Sequence, residues 1–473
     1  MPFSAPIERF ITCFVKDLRN GDAAIFAGAG LSVAAGHVNW TGLFENAAKE
    51  IGLDVSKEYD LVSLAQYLEN KGHRTRIQQT VIDSFPVTTD PTVTHNILSR
   101  LPIKIFWTTN YDNLIEKSLI QNGKVPDVKH EVRQLGYSVS NRHVTVYKMH
   151  GDSSRPFEAI LTKGQYEKYH RTHLAFLNAL TGDLMSKTFL FIGFSFSDPN
   201  LNYVLSRLVL QLEGNSREHY CFVKEETGTD PDSAYRKVKQ ELIIQDLKRY
   251  NITCLMIEDY SNIPDILSEI ERRINMKSIF ISGSAFEYGA LGEIKGRQLV
   301  HLISAEVFKA GNKIVNGFGL GIGSAVINGA LETIFSDPKA YSEENLILRP
   351  FPQFETSDKK LPVLWEEYRQ QMLSYAGIAI FLFGNKNVGG KVEIANGIIR
   401  EFEIAHSKGL IPIPVAATGY AARQIFEMIQ TEPKKYLGDT DIMPELTQLA
   451  DETLSIEAIR DGVLSIVNKV NQS

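Results

Sequence analysis

Four short stretches in the amino-terminal half of the sequence combine glycine, hydroxyl, amide, imidazole and carboxylate groups. They read GAGLS (28–32), TTNYD (108–112), MHGD (149–152) and GFSFSDPNL (193–201). Glycine-rich turns present backbone N–H groups that can bind phosphate. Histidine as a residue type is suited to general base catalysis near neutral pH, which makes His150 a candidate base. The amide of Asn110 can hold a hydroxyl or a water without adding charge. Together these groups predict a nucleotide-type site.

Each of these stretches lies at or just after the carboxyl end of a predicted strand. Uniformly apolar strands separated by helices predict a parallel sheet covered on both faces. Ligands of such sheets bind beyond the carboxyl ends of the strands, so we expect the four stretches to converge. The predicted strands span 23–28, 103–109, 144–149, 188–194, 219–224 and 252–258, with helices at 233–249 and 264–274 and a helical layer at about 51–100.

Each candidate residue also has a structural alternative. Glycines between a strand and a helix can serve close packing of the backbone instead of phosphate binding. His150 can be a core histidine bonded to backbone, and Asn110 can be a turn residue bonded to its own backbone. Asp112 can cap the helix that follows it.

The carboxyl-terminal half repeats the alternation of strands and helices. Strands are predicted at 277–282, 313–317, 345–351, 377–384 and 410–418, and helices at about 290–309, 322–335, 360–375, 392–407, 419–430 and 455–470. The sequence therefore predicts an α/β protein with two doubly wound parallel-sheet (Rossmann-like) domains, residues 1–275 and residues 276–473.

Length and composition narrow the class of protein. A chain of 473 residues with 43% hydrophobic and 22% charged residues favours two globular domains. A net charge of −6 gives no field that would recruit nucleic acid. The three cysteines (Cys13, Cys221 and Cys254) form no C-x-x-C pair, which argues against a disulfide framework and a zinc site. Without a signal peptide or a run of about 18 apolar residues, we expect a cytoplasmic protein with no membrane partner and no metal.

The second domain has its own glycine-rich turns, FISGSAFE (280–287) and NGFGLGIGS (316–324). The glycine spacing differs from the dinucleotide fingerprint, so we expect a phosphate-bearing small molecule here and no catalytic dinucleotide. Arg369 and Lys386 supply positive charge for phosphate, and Glu401 can accept ribose hydroxyls. The alternative for Arg369 and Glu401 is a solvated helix face.

The order of the four amino-terminal motifs resembles the sirtuin family over most of residues 10–270. The resemblance implies NAD as the substrate, with His150 as the base, Asn110 near the ribose and Asp112 as a supporting neighbour. It also implies that four residues lie along the pyrophosphate and that Ser195 lies near the adenosine half. Those four residues are Gly28, Ala29, Gly30 and Ser32.

Departures from the sirtuin pattern favour one activity of that family. Sirtuin protein deacylases usually carry a four-cysteine zinc module and a Pro-Asp-Phe-Arg stretch after the glycine loop. Here that stretch reads GHVNWTGLF (36–44), and the cysteines do not fit such a module. The resemblance therefore implies NAD cleavage with water as the acceptor.

The second half resembles the SLOG family, whose Rossmann-like domains sense nucleotide-derived signals. A sirtuin-like domain followed by a SLOG domain resembles the effectors of the bacterial Thoeris anti-phage system. This implies a cyclic ADP-ribose isomer made by a TIR-domain partner as the activating signal, and a homotetramer. The implied signal-binding residues are Ser282, Gly283, Gly317, Gly319, Gly321, Gly323, Ser324, Arg369, Lys386 and Glu401.

Three alternative functions remain at this point. The first is an NAD-dependent protein deacylase, and the second is a catalytically silent sensor of NAD or ADP-ribose. The third is a SLOG domain with nucleotide hydrolase activity of its own, for which residues 277–430 offer no obvious nucleophile or acid pair.

Overall fold

The computed structural model describes residues 3–37, 40–57, 60–72, 74–86, 88–196, 198–212, 216–355 and 359–472. Two residues of the stretch 36–44 and one residue of the stretch 193–201 lie outside these ranges. The contacts within the chain divide it into two compact units, Met1–Glu271 and Arg272–Ser473. Each unit is described by itself.

The first unit is built on a seven-stranded parallel sheet. Its strands are β1 (Ala23–Ala27), β2 (Ile105–Thr108), β3 (Pro126–Lys129), β4 (Val144–Lys148), β5 (Thr188–Ile192), β6 (His219–Lys224) and β7 (Ile252–Ile257). They lie in the order β3-β4-β2-β1-β5-β6-β7. The central strands β1 and β5 are buried along their whole length, as the apolar runs predict. The edge strand β3 was not predicted, because its sequence PDVK is short and half polar.

Helices cover this sheet, and the predicted helical layer between β1 and β2 is present. They are α1 (Ala5–Asn20), α2 (Gly30–Val33), α3 (Trp40–Glu50), α4 (Leu61–Asn70), α5 (Arg74–Ser84), α6 (Val93–Arg100), α7 (Leu114–Gln121), α8 (Lys163–Thr172), α9 (Leu174–Ser186), α10 (Pro199–Leu212), α11 (Ser233–Lys248) and α12 (Ile263–Met276). In α1, Phe10, Phe14 and Leu18 recur at helical spacing and are buried. The ring of Phe10 lies 4.8 Å from that of Tyr220 in β6.

The second unit has a five-stranded parallel sheet. The strands of this unit are β8 (Ser278–Ser284), β9 (Lys313–Asn316), β10 (Leu346–Leu348), β11 (Ile378–Phe383), β12 (Asn385–Val388), β13 (Lys391–Ile394) and β14 (Ile411–Pro414). Its helices are α13 (Gly292–Lys309), α14 (Gly323–Ser336), α15 (Leu361–Leu373), α16 (Asn396–Ser407), α17 (Tyr420–Thr431), α18 (Pro433–Leu437), α19 (Met443–Gln448) and α20 (Ile456–Gln472). The sheet order is β10-β9-β8-β11-β14, whereas β12 and β13 form a separate antiparallel pair.

The hairpin of β12 and β13 corrects one predicted boundary. The helix expected over 392–407 begins only at Asn396. Gly389 and Gly390 both have positive φ, which allows the chain to turn back between the two strands.

Two further findings bear on the class of protein. Cys221 and Cys254 lie opposite each other on β6 and β7, with their sulfurs 3.5 Å apart, and all three cysteines are free thiols. In the described ranges, the helices lack either the length or the apolar composition that crossing a membrane requires.

Candidate functional site

The register of the first sheet places Asn110 and His150 over neighbouring strands. Ala27 of β1 pairs with Thr108 of β2, and Thr108 also pairs with Lys148 of β4. Asn110 and His150 each lie two residues beyond these strand ends. The amide and the imidazole are therefore at the same edge of the sheet and at the same level, as the parallel topology predicts.

The glycine loop after β1 packs directly on the turn after β5. A methyl group at Gly28 would lie 2.4 Å from the carbonyl oxygen of Gly193, and one at Gly30 would lie 2.8 Å from its Cα atom. β1 and β5 are the strands between which the chain order of the sheet reverses, which is where such sheets bind ligands. Close packing of backbone is thus one reason for these glycines.

The amide groups of this loop are mostly bonded within the protein. The N–H groups of Gly28 and Gly30 donate to carbonyl oxygens at the end of β5, at 2.9 Å each, and the N–H of Ser32 donates to Ala29 at 3.0 Å. The N–H of Ala29 has no acceptor among the described residues. The loop therefore offers less to a phosphate than its sequence predicted.

Asn110, Ser32 and Asp112 form a chain of hydrogen bonds. The Asn110 amide nitrogen donates to the Gly28 carbonyl at 3.0 Å and to the Ser32 hydroxyl at 3.2 Å, and Ser32 donates to Asp112 at 2.8 Å. Asp112 also accepts the N–H of Leu114, the first residue of α7, at 3.0 Å, although Asn113 occupies the N-cap position. Asn110 is 6% exposed, and its amide oxygen has no partner in the described part of the chain. That oxygen is available to a hydroxyl or a water.

Among the described residues, the ring of His150 is held between two side chains and not by backbone. Its ring is 1% exposed. Nδ1 lies 3.3 Å from the hydroxyl of Tyr166, and Nε2 lies 3.1 Å from a carboxylate oxygen of Asp198, at ion-pair distance but outside hydrogen-bond alignment. Burial, and secondarily the charge of Asp198, raise the pKa of Tyr166 well above its usual value. The tyrosine therefore keeps its proton and can donate it to Nδ1.

Asp198 is a site residue that sequence reasoning missed. It lies in the stretch 193–201, where Ser195 was selected; Ser195 itself is exposed in the turn after β5. The missed signal was an aspartate directly before the proline that starts a helix, a usual capping position.

Lys148 is a second residue that the sequence analysis did not select, although a lysine in an apolar strand was the available signal. Its ammonium group is fully buried. It lies 3.0 Å from the carboxylate of Glu116 and 2.5 Å from that of Asp152, and it donates to the carbonyls of Tyr111 and Asp112 at 3.3 and 2.5 Å. Lys148 thus ties the loop that carries Asn110 to the loop that carries His150.

Replacing Lys148 by methionine is expected to lower the free energy of unfolding by about 3–5 kcal/mol, because buried carboxylates lose their counter-ion. Burial acts to lower the pKa of Lys148, but Glu116 and Asp152 raise it, so the wild-type residue is charged. Urea unfolding measures the change. Lys224→Met is the matched control, because Lys224 forms an exposed pair with Asp259. An equal effect of the two variants would contradict the prediction.

In the second unit, three of the predicted residues are in contact. Ser282 donates to the carboxylate of Glu401 at 2.6 Å, and Nε of Arg369 lies 3.4 Å from the other carboxylate oxygen. The Arg369 guanidinium also lies over the ring of Phe351, at 5.0 Å. Glu401 is only 4% exposed, so the alternative of a solvated helix face is wrong for this residue. Burial raises the pKa of Glu401, whereas Ser282 and Arg369 oppose the rise.

The glycine-rich loop after β9 packs on the end of β8. A methyl group at Gly319 would lie 2.0 Å from the carbonyl oxygen of Gly283, and one at Gly321 would lie 2.0 Å from that of Ala285. The N–H of Ala285 donates to Leu320 at 2.8 Å. The loop is therefore fixed next to Ser282 in β8.

The remaining predicted residues of this site are less closely connected. Gly317 lies against the ring of Phe351, and Gly323 lies against the backbone of Phe318. Ser324 is exposed at the start of α14. Lys386 is partly exposed on β12, and its ammonium group has no ion pair or hydrogen bond within the ranges that the structure describes.

Two consecutive parallel-sheet units, the first with an amide and an imidazole at the carboxyl edge of its sheet, have the architecture of a sirtuin-like domain followed by a SLOG domain. The model of the SIR2-like domain matches residues 104–255. The model of the Sir2- and TIR-associating SLOG family matches residues 262–470. The predicted order of the two domains is confirmed.

Curated relatives identify the family. The NAD(+) hydrolase ThsA of Bacillus cereus (strain MSX-D12) is 45% identical, with 99% of each chain covered. The NAD(+) hydrolase ThsA of Cytobacillus dafuensis is 46% identical, over 91% of this chain and 90% of the relative. Defense-associated sirtuin 2 of Bacillus subtilis is 27% identical over 45% of this chain and 21% of its own length. The chain belongs to the ThsA family of NAD(+) hydrolases.

Proposed function

We propose that this chain hydrolyses NAD+ to nicotinamide and ADP-ribose in anti-phage defence. Membership of the ThsA family supports the proposal. The observation that carries it is the buried, unpartnered oxygen of Asn110 at the same sheet edge as His150. A polar atom left unpaired in the interior is costly, and a substrate hydroxyl or a water would satisfy it.

The proposed chemistry requires little acid catalysis, because the nicotinamide of NAD+ is cationic and leaves as a neutral molecule. The bond between the ribose carbon and the nicotinamide nitrogen breaks, and its electron pair stays with the nitrogen. Water forms the new bond to that carbon and loses a proton to His150. Asn110 orients the water or a ribose hydroxyl, and a positioned base contributes roughly 10²–10⁴-fold to the rate.

The proposal includes control by the second unit. A cyclic ADP-ribose isomer made by a TIR-domain partner binds at Ser282, Arg369 and Glu401, next to the glycine loops. Buried charge and hydroxyl groups in contact are suited to phosphate and ribose. The signal acts by binding the active arrangement more tightly than the inactive one. We also propose that the protein is cytoplasmic and forms a homotetramer. Its proposed substrate is NAD+.

The test is nicotinamide release by the purified full chain, with and without cyclic ADP-ribose isomers. We expect at least one isomer to raise the rate in the wild type and to have no effect on Arg369→Ala. Arg400→Ala is the matched control, because Arg400 precedes Glu401 on α16 but pairs with Glu366 and Glu403 at the surface. Its response should equal that of the wild type.

Other outcomes would contradict the proposal in distinct ways. Equal rates for all variants, with and without the isomers, would exclude the regulatory part alone. NAD+ consumption only in the presence of an acyl-lysine peptide would identify a deacylase. No nicotinamide release under any condition would identify a silent sensor.

A further inference from the structure

Asp198 connects the imidazole of His150 to the start of a helix. One carboxylate oxygen lies 3.1 Å from Nε2 of His150. The other accepts the backbone N–H groups of Asn200 and Leu201, each at 2.9 Å, and so caps α10. The side chain is 8% exposed. Its two oxygens therefore have separate partners, and the helix fixes the direction of the one that faces the ring.

We propose that Asp198 is a positioning residue that fixes the orientation and the tautomer of His150. The negative carboxylate lies 3.1 Å from Nε2, so its charge favours a proton on that ring nitrogen, although the two atoms are not aligned as a hydrogen bond. The proton of neutral His150 then resides on Nε2, and the lone pair is on Nδ1. This inference rests on the proposed function, in which His150 is the base.

The surroundings of Nδ1 agree with a lone pair at that atom. The hydroxyl of Tyr166 lies 3.3 Å from Nδ1 and keeps its proton, so it can donate a hydrogen bond to this nitrogen. A proton taken from water therefore arrives at Nδ1, directly or through the Tyr166 hydroxyl. In the second case Tyr166 gives its own proton to Nδ1 and receives one from the water, so the count of protons is unchanged.

Asp198 is suited to stabilise the ring once it has taken the proton. Burial acts to raise the pKa of Asp198, but His150 and the N–H groups of Leu201 and Asn200 lower it below the usual value. The carboxylate is therefore ionised at neutral pH. A fixed negative charge beside an imidazole that becomes positive is the arrangement in which a third group orients a catalytic base.

Three other described side chains near His150 are uncharged at neutral pH. Tyr166 and Tyr169 contact the ring edge-on, and burial raises the pKa of both phenols. Burial and His150 lower the pKa of His173, so that imidazole is neutral at pH 7. Of the groups that face His150 in the described chain, Asp198 is thus the one that is ionised.

The test is Asp198→Asn in the full chain. Asparagine keeps the size of the side chain and an oxygen that can cap α10, but it removes the charge. We expect kcat for NAD+ hydrolysis to fall about 10²-fold, with KM changed by less than about twofold. The acidic limb of the pH profile should shift to lower pH, because protonated His150 loses its counter-charge. Asp60→Asn is the control, since Asp60 caps α4 by bonding Ser63.

A purely structural role of Asp198 predicts different results for these variants. Wild-type kcat and an unshifted pH profile in Asp198→Asn would overturn the proposal. A rate above that of the wild type would also overturn it, since the carboxylate would then be covering the base. If Asp198→Asn is unfolded, Asp198→Glu keeps the charge and moves it by one methylene. Wild-type activity in that variant would show that the position of the carboxylate is irrelevant.

A measurement without turnover separates this proposal from the proposed function. In protein labelled with ¹⁵N-histidine, the His150 signals, assigned by their loss in His150→Gln, should show the proton on Nε2. In Asp198→Asn this preference should be lost. The expected spectra together with no NAD+ hydrolysis would refute the function but not the positioning. Hydrolysis together with a proton on Nδ1 would refute the positioning alone.

Discussion

Replacing His150 by alanine is expected to lower the rate of nicotinamide release by roughly 10²–10⁴-fold. The imidazole is the proposed base at the sheet edge that carries Asn110, and alanine offers no group to take the proton. The assay is release of nicotinamide from NAD+ by the full chain, with and without the cyclic ADP-ribose isomers. His170→Ala is the matched control, because His170 is exposed on α8.

Loss of activity must be separated from loss of folding, because alanine at position 150 removes the partner of one carboxylate oxygen of the buried Asp198. His150→Gln keeps most of the volume and a polar group, and thermal melting of both variants shows whether they are folded. A folded His150→Ala protein with wild-type turnover would rule out the imidazole as the base.

Replacing Gly193 by alanine is expected to lower the free energy of unfolding by about 2–5 kcal/mol. Gly193 has φ of +65°, and a methyl group there would lie 2.1 Å from the backbone nitrogen of Leu31. The neighbour is main chain and cannot rotate away, so the cost of overpacking adds to that of a left-handed alanine. Gly21→Ala isolates the second cost, because Gly21 has φ of +74° and nothing within 4 Å of the added methyl.

We expect Gly21→Ala to cost about 1–2 kcal/mol. Urea unfolding of the two variants under the same conditions gives the difference. Equal costs would mean that the loops after β1 and β5 can separate without penalty, and the packing account of the glycine loop would then be wrong.

The sequence alone predicts the two parallel sheets. It also predicts that Asn110 and His150 lie at the same edge of the first sheet. Uniformly apolar strands separated by helices indicate parallel pairing, and parallel pairing alone brings residues such as Asn110 and His150 to one edge. The hairpin of β12 and β13 was not predicted, because its short polar strands lack the apolar runs that indicate a buried strand. The two glycines between these strands were the only local signal of a turn.

The side-chain contacts around Asn110 and His150 could not be predicted from the sequence, for a different reason. Lys148 and Asp198 act through partners from other loops, and those partners are fixed by strand register and helix placement. The glycine loop shows the same limit. Its sequence is compatible with phosphate binding, but the position of Gly193 decides that most of its amides are already bonded.

The orientation of the Asn110 amide has a consequence for molecular discrimination. Gly28 and Ser32 accept both hydrogens of that amide, so the remaining oxygen can receive a hydrogen bond but cannot give one. An NAD+ analogue with a carbon in place of the hydroxyl that this oxygen would bind leaves the Asn110 amide oxygen buried without a hydrogen-bond partner. The expected cost is about 1–3 kcal/mol. Ser32 and the main-chain carbonyl of Gly28 therefore fix the Asn110 amide so that, in the proposed NAD+ site, its oxygen selects for a group that donates a hydrogen bond.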